Sequence, residues 1–157
     1  MMPGVTPMRD LLRPLDLFAG FTDAELDAFA APAKAEMHRK GAAIHRAPEA
    51  MSKFYVVESG VVEMSRRGSK ARGVTRIERG DAFGEMALFE ELASPVDIAA
   101  GVTPETHLWA WHHLDVQQLL ARDPVLGLKL AKNLFKRLGS KMQSLQSMLA
   151  AAADDLG

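Results

Sequence analysis

The stretch "RGDAFGEMALFEELASPVDIAA", residues 79–100, combines a glycine, an acid and a long interval without positive charge. Glu85 directly follows Gly84, and no Lys or Arg lies between Arg79 and Arg122. A glycine lets the backbone approach a ligand closely. A carboxylate can accept a charge-assisted hydrogen bond from a hydroxyl group. The stretch therefore predicts a binding loop that holds a hydroxylated ligand but has no cation of its own.

On both sides of this loop the hydrophobic period is two, from Glu36 to about Trp111, and glycine or proline recurs at short intervals. Short strands separated by turns at this spacing predict an antiparallel β jelly roll, a mainly β fold. In "KFYVVESGVVEMSRR", two runs rich in β-branched residues flank "ESG". We expect strands at 54–57 and 61–65 to form a hairpin, with Gly60 at positive φ.

Helical patterns flank the roll at both ends. Thr22 and Glu25 have the spacing of a capping box, which predicts a helix from about Asp23 to Ala31, ended or kinked by Pro32. After the roll we expect a short helix, a break at Asp123-Pro124, and a long helix. The prediction is a single domain over residues 1–157, with N-terminal helices at 9–35, the jelly roll at 36–113 and C-terminal helices at 114–157.

One face of the long helix carries apolar residues in a four-three alternation, the pattern of a coiled coil. These residues are Leu138, Met142, Leu145, Leu149 and Ala152. The helix either packs on its own domain or pairs with a second copy. Because the apolar pattern extends beyond what a small barrel can cover, pairing into a homodimer is favoured.

The order of residues in "RGDAFGEMALF" resembles the phosphate-binding cassette of cyclic-nucleotide-binding domains, which occur in catabolite-activator-type regulators, kinase regulatory subunits and nucleotide-gated channels. The segment "PLDLFAGFTDAELDAFA" resembles the N-terminal helical bundle of the same family, and "HLWAWHHLDVQQLL" resembles its last strand followed by its first C-terminal helix. The resemblance implies a cyclic nucleotide ligand, cAMP or cGMP, and no further cofactor. The ligand-binding positions that it implies are Phe83, Gly84, Glu85, Met86, Ala87, Val96 and Asp97.

The cassette departs from the family pattern where an arginine normally follows a proline. Pro95 is followed here by Val96 and Asp97. Loss of a guanidinium partner typically weakens phosphate binding by about 2–5 kcal/mol. We expect Asp97, if it lies near the phosphate, to add repulsion.

Two explanations for this departure remain open. One is that a basic residue from the segment at 65–76 folds over the site, although a solvated charged loop explains that segment more simply. Its basic residues are Arg66, Arg67, Lys70, Arg72 and Arg76. The other is that the site accepts a less acidic ligand.

Composition and motifs exclude several other classes. The 157 residues carry a formal net charge of -1 and no cysteine, which argues against nonspecific nucleic-acid binding and thiolate chemistry. No signal peptide or membrane span is evident, so we expect a soluble, cytoplasmic protein. The histidines lack the spacing of a metal site, and no nucleophile motif indicates an enzyme. With no helix-turn-helix after the long helix, we expect no direct DNA binding.

Two functions remain. In the first, the domain senses a cyclic nucleotide or a related small molecule and moves its C-terminal helices in response. In the second, it has lost its ligand and acts as a dimeric scaffold or binds a protein partner through the long helix.

Overall fold

The structure, a computed structural model, describes residues 7–66 and 73–156. Four α-helices and two short 3-10 helices, at Asp16–Phe18 and Glu85–Leu88, are present in these ranges. The α-helices are α1 (Met8–Leu12), α2 (Asp23–Ala30), α3 (His113–Arg122) and α4 (Pro124–Asp155). No helix in these ranges has both the length and the hydropathy needed to cross a lipid bilayer.

Ten strands lie between α2 and α3 in the part of this segment that the structure describes, residues 31–66 and 73–112. They are β1 (Lys34–Arg39), β2 (Ala43–His45), β3 (Ala50–Met51), β4 (Lys53–Ser59), β5 (Val62–Arg66), β6 (Thr75–Ile77), β7 (Ala82–Phe83), β8 (Leu92–Ala93), β9 (Val96–Ala100) and β10 (Glu105–His112). One sheet has the order β1-β10-β4-β7, a second has the order β2-β9-β5-β6, and β3 pairs with β8. All pairs are antiparallel, so the predicted jelly roll with flanking helices is confirmed.

The predicted hairpin between 54–57 and 61–65 is wrong, although both strands exist. β4 pairs with β10 and β7, whereas β5 pairs with β9 and β6 in the other sheet. The chain crosses between the sheets at Gly60, whose φ of 87° confirms the predicted positive value. A β-carbon at Gly60 would lie 2.6 Å from Oγ1 of Thr106, and this close approach leaves no room for a side chain.

Side chains on β4 pack on both faces, which explains its continuous apolar sequence. Phe54 and Val56 face the helices, and Tyr55 and Val57 face the interior of the roll. On the helical side, the indole N–H of Trp111 donates to the carbonyl of Phe29 at 2.7 Å. The roll therefore has an inner core, and a second core joins its outer face to α2 and α4.

The helix boundaries follow local capping. The predicted capping box of α2 is confirmed: Oγ1 of Thr22 accepts from the Glu25 amide, and Oε1 of Glu25 accepts from the Thr22 amide. α2 ends at Ala30, before Pro32. Asp123 caps α4 by accepting from the Leu126 amide at 3.1 Å. β1 begins at Lys34 and α3 at His113, each within two residues of the predicted boundary.

Long helix α4 contacts the body of the domain only through its first half. Leu126, Leu130 and Leu134 are buried, and no residue after Leu134 is buried within the described part of the helix. Lys129 donates to Oε1 of Glu25 at 2.6 Å, which ties α4 to α2. The second half of α4 therefore projects from the domain.

Candidate functional site

The loop after β7 has a backbone that requires glycine. Gly84 has φ 78° and precedes the 3-10 helix Glu85–Leu88. A β-carbon at this position would lie 2.5 Å from the carbonyl oxygen of Lys53 at the start of β4. Gly84 therefore provides both the left-handed turn and the close approach of the loop to the sheet.

Phe83, the last residue of β7, anchors the start of the loop in the core of the roll. It is 2% exposed, pairs with Tyr55 across the strands, and stacks on the Tyr55 ring with centroids 4.8 Å apart. Burial, with the negative charge of Glu36 as a smaller cause, holds the pKa of Tyr55 well above its usual value. The Tyr55 ring is therefore neutral and acts as an apolar support for Phe83.

Glu85 is held by a residue of α4. Nη2 of Arg137 lies 2.9 Å from Oε1 of Glu85, and the two side chains are 31% and 17% exposed, respectively. Nε of Arg137 is buried and has no hydrogen-bond partner among the residues that the structure describes. A carboxylate can accept about four hydrogen bonds, so Glu85 retains capacity for a ligand hydroxyl while it is paired.

Two cavities meet at Gly84, Glu85 and Met64. The larger, of about 420 Å³, is bounded on one side by the loop and on the other by Arg137 and Lys141 of α4. The smaller, of about 250 Å³, extends from the same loop toward β8 and β9. Ligand sites usually have volumes of about 300–1,000 Å³, so the larger cavity is of the size of a ligand site, and the smaller one adjoins it at the three shared residues.

The two cavities differ in the chemistry of their linings. The larger cavity includes three basic and two acidic residues, namely Arg76, Arg137, Lys141, Asp81 and Glu85. The smaller is mostly apolar and is lined by Met51, Met64, Gly84, Glu85, Met86, Leu92, Ala93, Ser94, Pro95 and Val96. Charge is therefore concentrated on the side of the site that faces α4.

Met86 and Ala87, two predicted site residues of the 3-10 helix, differ in whether they line a cavity. Met86 is 40% exposed and lines the smaller cavity. Ala87 is 1% exposed and lines neither of these two cavities. Its carbonyl lies 3.0 Å from Nδ1 of His113, at the start of α3. Ala87 thus joins the loop to the C-terminal helices.

Val96 and Asp97, which we expected together at the site, lie on opposite faces of β9. Val96 lines the smaller cavity, whereas Asp97 lines a separate cavity of about 500 Å³. Oδ1 of Asp97 accepts from the Ala47 amide at 2.8 Å. Successive residues of a strand point to opposite faces. The expectation that Asp97 repels a phosphate bound beside Val96 is therefore wrong, because Asp97 faces the other cavity.

Of the five basic residues at 65–76 that could fold over the site, the structure describes two, Arg66 and Arg76. Arg67, Lys70 and Arg72 lie outside the described residues. Arg76 is exposed and lines the larger cavity. Arg66, also exposed, is the last residue of β5.

No cluster of three or more His, Asp or Glu side chains in the described ranges is arranged to hold a metal ion.

Residues 36–123 match the family model for the cyclic nucleotide-binding domain. The chain belongs to the cyclic nucleotide-binding domain family. The match spans all ten strands except the first two residues of β1, together with the loop at Gly84 and the whole of α3.

Individual proteins agree with this assignment. Over 92 residues the chain is 30% identical to a cAMP-dependent protein kinase regulatory subunit of Debaryomyces hansenii; the match covers 58% of the chain but only 20% of that protein. The catabolite activator protein of Thermus thermophilus matches with a TM-score of 0.69 and 26% identity, over 85% of this chain and 63% of that one.

A third comparison extends the similarity in fold. The N-terminal domain of a transcriptional regulator from Streptomyces coelicolor matches with a TM-score of 0.75 and 23% identity. It covers 87% of this chain and 95% of that domain. The cyclic nucleotide-binding domain described here thus shares its fold with the N-terminal domain of a transcriptional regulator.

Sequence reasoning missed the contribution of α4 to the surroundings of this loop. Arg137 and Lys141 follow the buried Leu130 and Leu134 at spacings of three and four residues. They therefore continue the helix face that packs on the domain. A pair of bases on an otherwise buried face was the signal that could have identified them.

Proposed function

We propose that this domain is a regulatory sensor of a cyclic nucleotide or a closely related nucleotide, and that its occupancy changes the position of α4. The observation that carries the proposal is the 2.9 Å ion pair between Glu85 in the loop and Arg137 in α4. A ligand hydroxyl that bonds to a free acceptor position of Glu85 reorients the carboxylate and with it the pair to Arg137. Binding would therefore act directly on the helix.

Family membership and the chemistry of the cavity support the ligand class. The two neighbouring cavities offer an acceptor for a sugar hydroxyl at Glu85, an apolar wall for a base and several cations for a phosphate. The relative from Debaryomyces hansenii is a cAMP-dependent regulatory subunit, which favours cAMP as the first ligand to test. The role is non-catalytic and regulatory, and the cysteine-free sequence suits the reducing cytoplasm.

Calorimetric titration with cAMP and cGMP tests the proposal. We expect saturable binding near micromolar concentration. Glu85→Gln, which removes the charge but keeps the shape, should weaken binding about 10- to 100-fold, because a hydrogen bond to a charged group contributes about 1.5–3 kcal/mol. Glu90→Gln is the matched control, since Glu90 is exposed and lines neither of the two cavities.

Absence of binding at millimolar concentrations of both nucleotides would contradict the sensor function. Equal affinities of wild type and Glu85→Gln would contradict the role of Glu85.

Transmission to α4 has its own test. Arg137→Met keeps a long apolar stem but removes the guanidinium, so the link between Glu85 and α4 is lost. We expect cAMP to reduce amide hydrogen exchange in α4 of the wild type and to leave it unchanged in Arg137→Met. Lys136→Met is the control, because Lys136 is exposed on the same helix. A ligand-dependent change in α4 that persists in Arg137→Met would show that another contact carries the signal.

A second function, a dimeric scaffold, is favoured by the exposed apolar residues of α4. Phe135, Met142, Leu145 and Leu149 are each at least 59% exposed. This surface suits a second copy of the chain, or a helical partner protein, whether or not the loop binds a ligand. In both functions α4 is the output surface, and direct DNA binding is not part of either.

A further inference from the structure

The smaller cavity lacks a cation where an anionic ligand group would need one. Among its lining residues, all within the described part of the chain, Glu85 is the one charged side chain. Arg137 neutralises Glu85 from the side of α4, but Val96 and Pro95 form the opposite wall. A phosphate bound against that wall therefore requires a positive charge from a neighbouring element.

Pairing between β5 and β9 identifies a neighbour of Val96. Arg66 is directly opposite Val96, Ser65 is opposite Asp97, and Met64 is opposite Ile98. Met64 lines both cavities and Ile98 is 1% exposed, so these two residues define the inner face of the sheet.

Alternation along the strands then assigns Arg66 and Val96 to the same inner face. Directly opposite residues of an antiparallel pair have Cβ atoms about 4.5–5.5 Å apart. An arginine side chain is longer than this separation. The guanidinium of Arg66 can therefore reach the space in front of Val96 from the adjacent strand.

We propose that Arg66 supplies the phosphate-binding cation of this site, in place of an arginine at position 96. This inference rests on the proposed function, since it assigns the anionic end of the same ligand. The planar guanidinium can donate two parallel hydrogen bonds to phosphate oxygens from either strand. In this arrangement the cation lies on β5, opposite position 96 of β9, and the acid is Glu85 in the loop.

Other bases near the site fit this role less well. Arg76 lies directly opposite Glu63, whereas the next residue, Ile77, lies opposite the fully buried Val62. Arg76 lines the larger cavity, but its strand β6 pairs with β5 and not with β9, so Arg76 is not a cross-strand neighbour of Val96. Arg66 lines neither cavity, but Arg137 is already paired with Glu85, and Arg137 and Lys141 both lie on α4 rather than on a strand that pairs with β9. Arg66 is the base whose register brings it to Val96.

The test compares cAMP with adenosine, which has the same base and a ribose but no phosphate. In the wild type we expect cAMP to bind at least about 10-fold more tightly than adenosine. Arg66→Met should reduce cAMP affinity about 10- to 100-fold and leave adenosine affinity nearly unchanged. Adding Val96→Arg to Arg66→Met should restore most of the preference for cAMP, because it returns the cation to the facing position.

Arg46→Met is the matched control, since Arg46 is exposed and lines the separate cavity that contains Asp97. It should bind both compounds like the wild type. If Arg66→Met keeps the full preference for cAMP, the inference is wrong while the sensor function stands. Equal binding of cAMP and adenosine by the wild type also overturns it. If the wild type binds neither compound, both proposals fail.

Discussion

Replacement of Gly84 with alanine is expected to lower the free energy of unfolding by about 2–5 kcal/mol. Two costs combine. A residue other than glycine at positive φ costs about 1–2 kcal/mol, and overpacking costs about 1–3 kcal/mol more. The new β-carbon would lie 2.5 Å from the backbone oxygen of Lys53, which cannot move without moving β4. Urea denaturation followed by circular dichroism measures the loss.

Gly80→Ala is the control for this experiment. Gly80 has φ 84°, close to that of Gly84, but nothing lies within 4 Å of a β-carbon built there. It should therefore show only the backbone cost, about 1–2 kcal/mol. Similar losses in the two variants would mean that the loop moves away from β4 easily. In that case the close approach of Gly84 would not define the shape of the site.

Local signals in the sequence predicted most of the fold correctly, and the error concerned pairing between distant segments. The capping box of Thr22 and Glu25 and the break at Pro124 depend on neighbours in the chain, so the sequence alone is sufficient. The partner of a strand depends on the whole topology. Residues 54–57 and 61–65 are close in sequence, which favours a hairpin, yet the two strands pair with distant partners in different sheets.

The sequence predicted the loop residues Gly84 and Glu85 of the site but not Arg137 of α4, which contacts the loop. Gly84 and Glu85 were identifiable because a turn and an acid are local features. The contact between Glu85 and Arg137 joins residues 52 positions apart, and no local pattern specifies it. The position of Asp97 could have been predicted, because alternation along β9 places it on the other face from Val96.

A second large effect is expected at the exposed face of α4. Its four-three pattern is longer than the sequence analysis identified, since it begins at Leu128 and continues to Leu156. The members are Leu128, Ala131, Phe135, Leu138, Met142, Leu145, Leu149, Ala152 and Leu156. A separate, buried face of the helix is formed by Leu126, Leu130 and Leu134. A helix of 32 residues is about 48 Å long, which provides four heptads for pairing.

Leu145→Asp combined with Leu149→Asp should convert a dimer into a monomer. Burying two carboxylates in each helix of a coiled coil carries a large desolvation cost, so we expect the dimer dissociation constant to rise at least about 100-fold. Sedimentation equilibrium measures the change. The fold of the roll should be unaffected, because both leucines are exposed in the single chain, at 59% and 70%.

Ser140→Asp combined with Ser147→Asp is the matched control, with the same added charge on the same helix. These serines lie on the side of α4 away from the apolar pattern, so the double variant should remain dimeric. A monomeric wild type would exclude the homodimer and leave the face to a partner protein. A leucine variant that stays dimeric would mean that the subunits associate through another surface. If the leucine variant is monomeric but binds cAMP as tightly as the wild type, dimer formation is not needed for ligand binding. This result is compatible with the pair between Arg137 and Glu85, which lies within one chain.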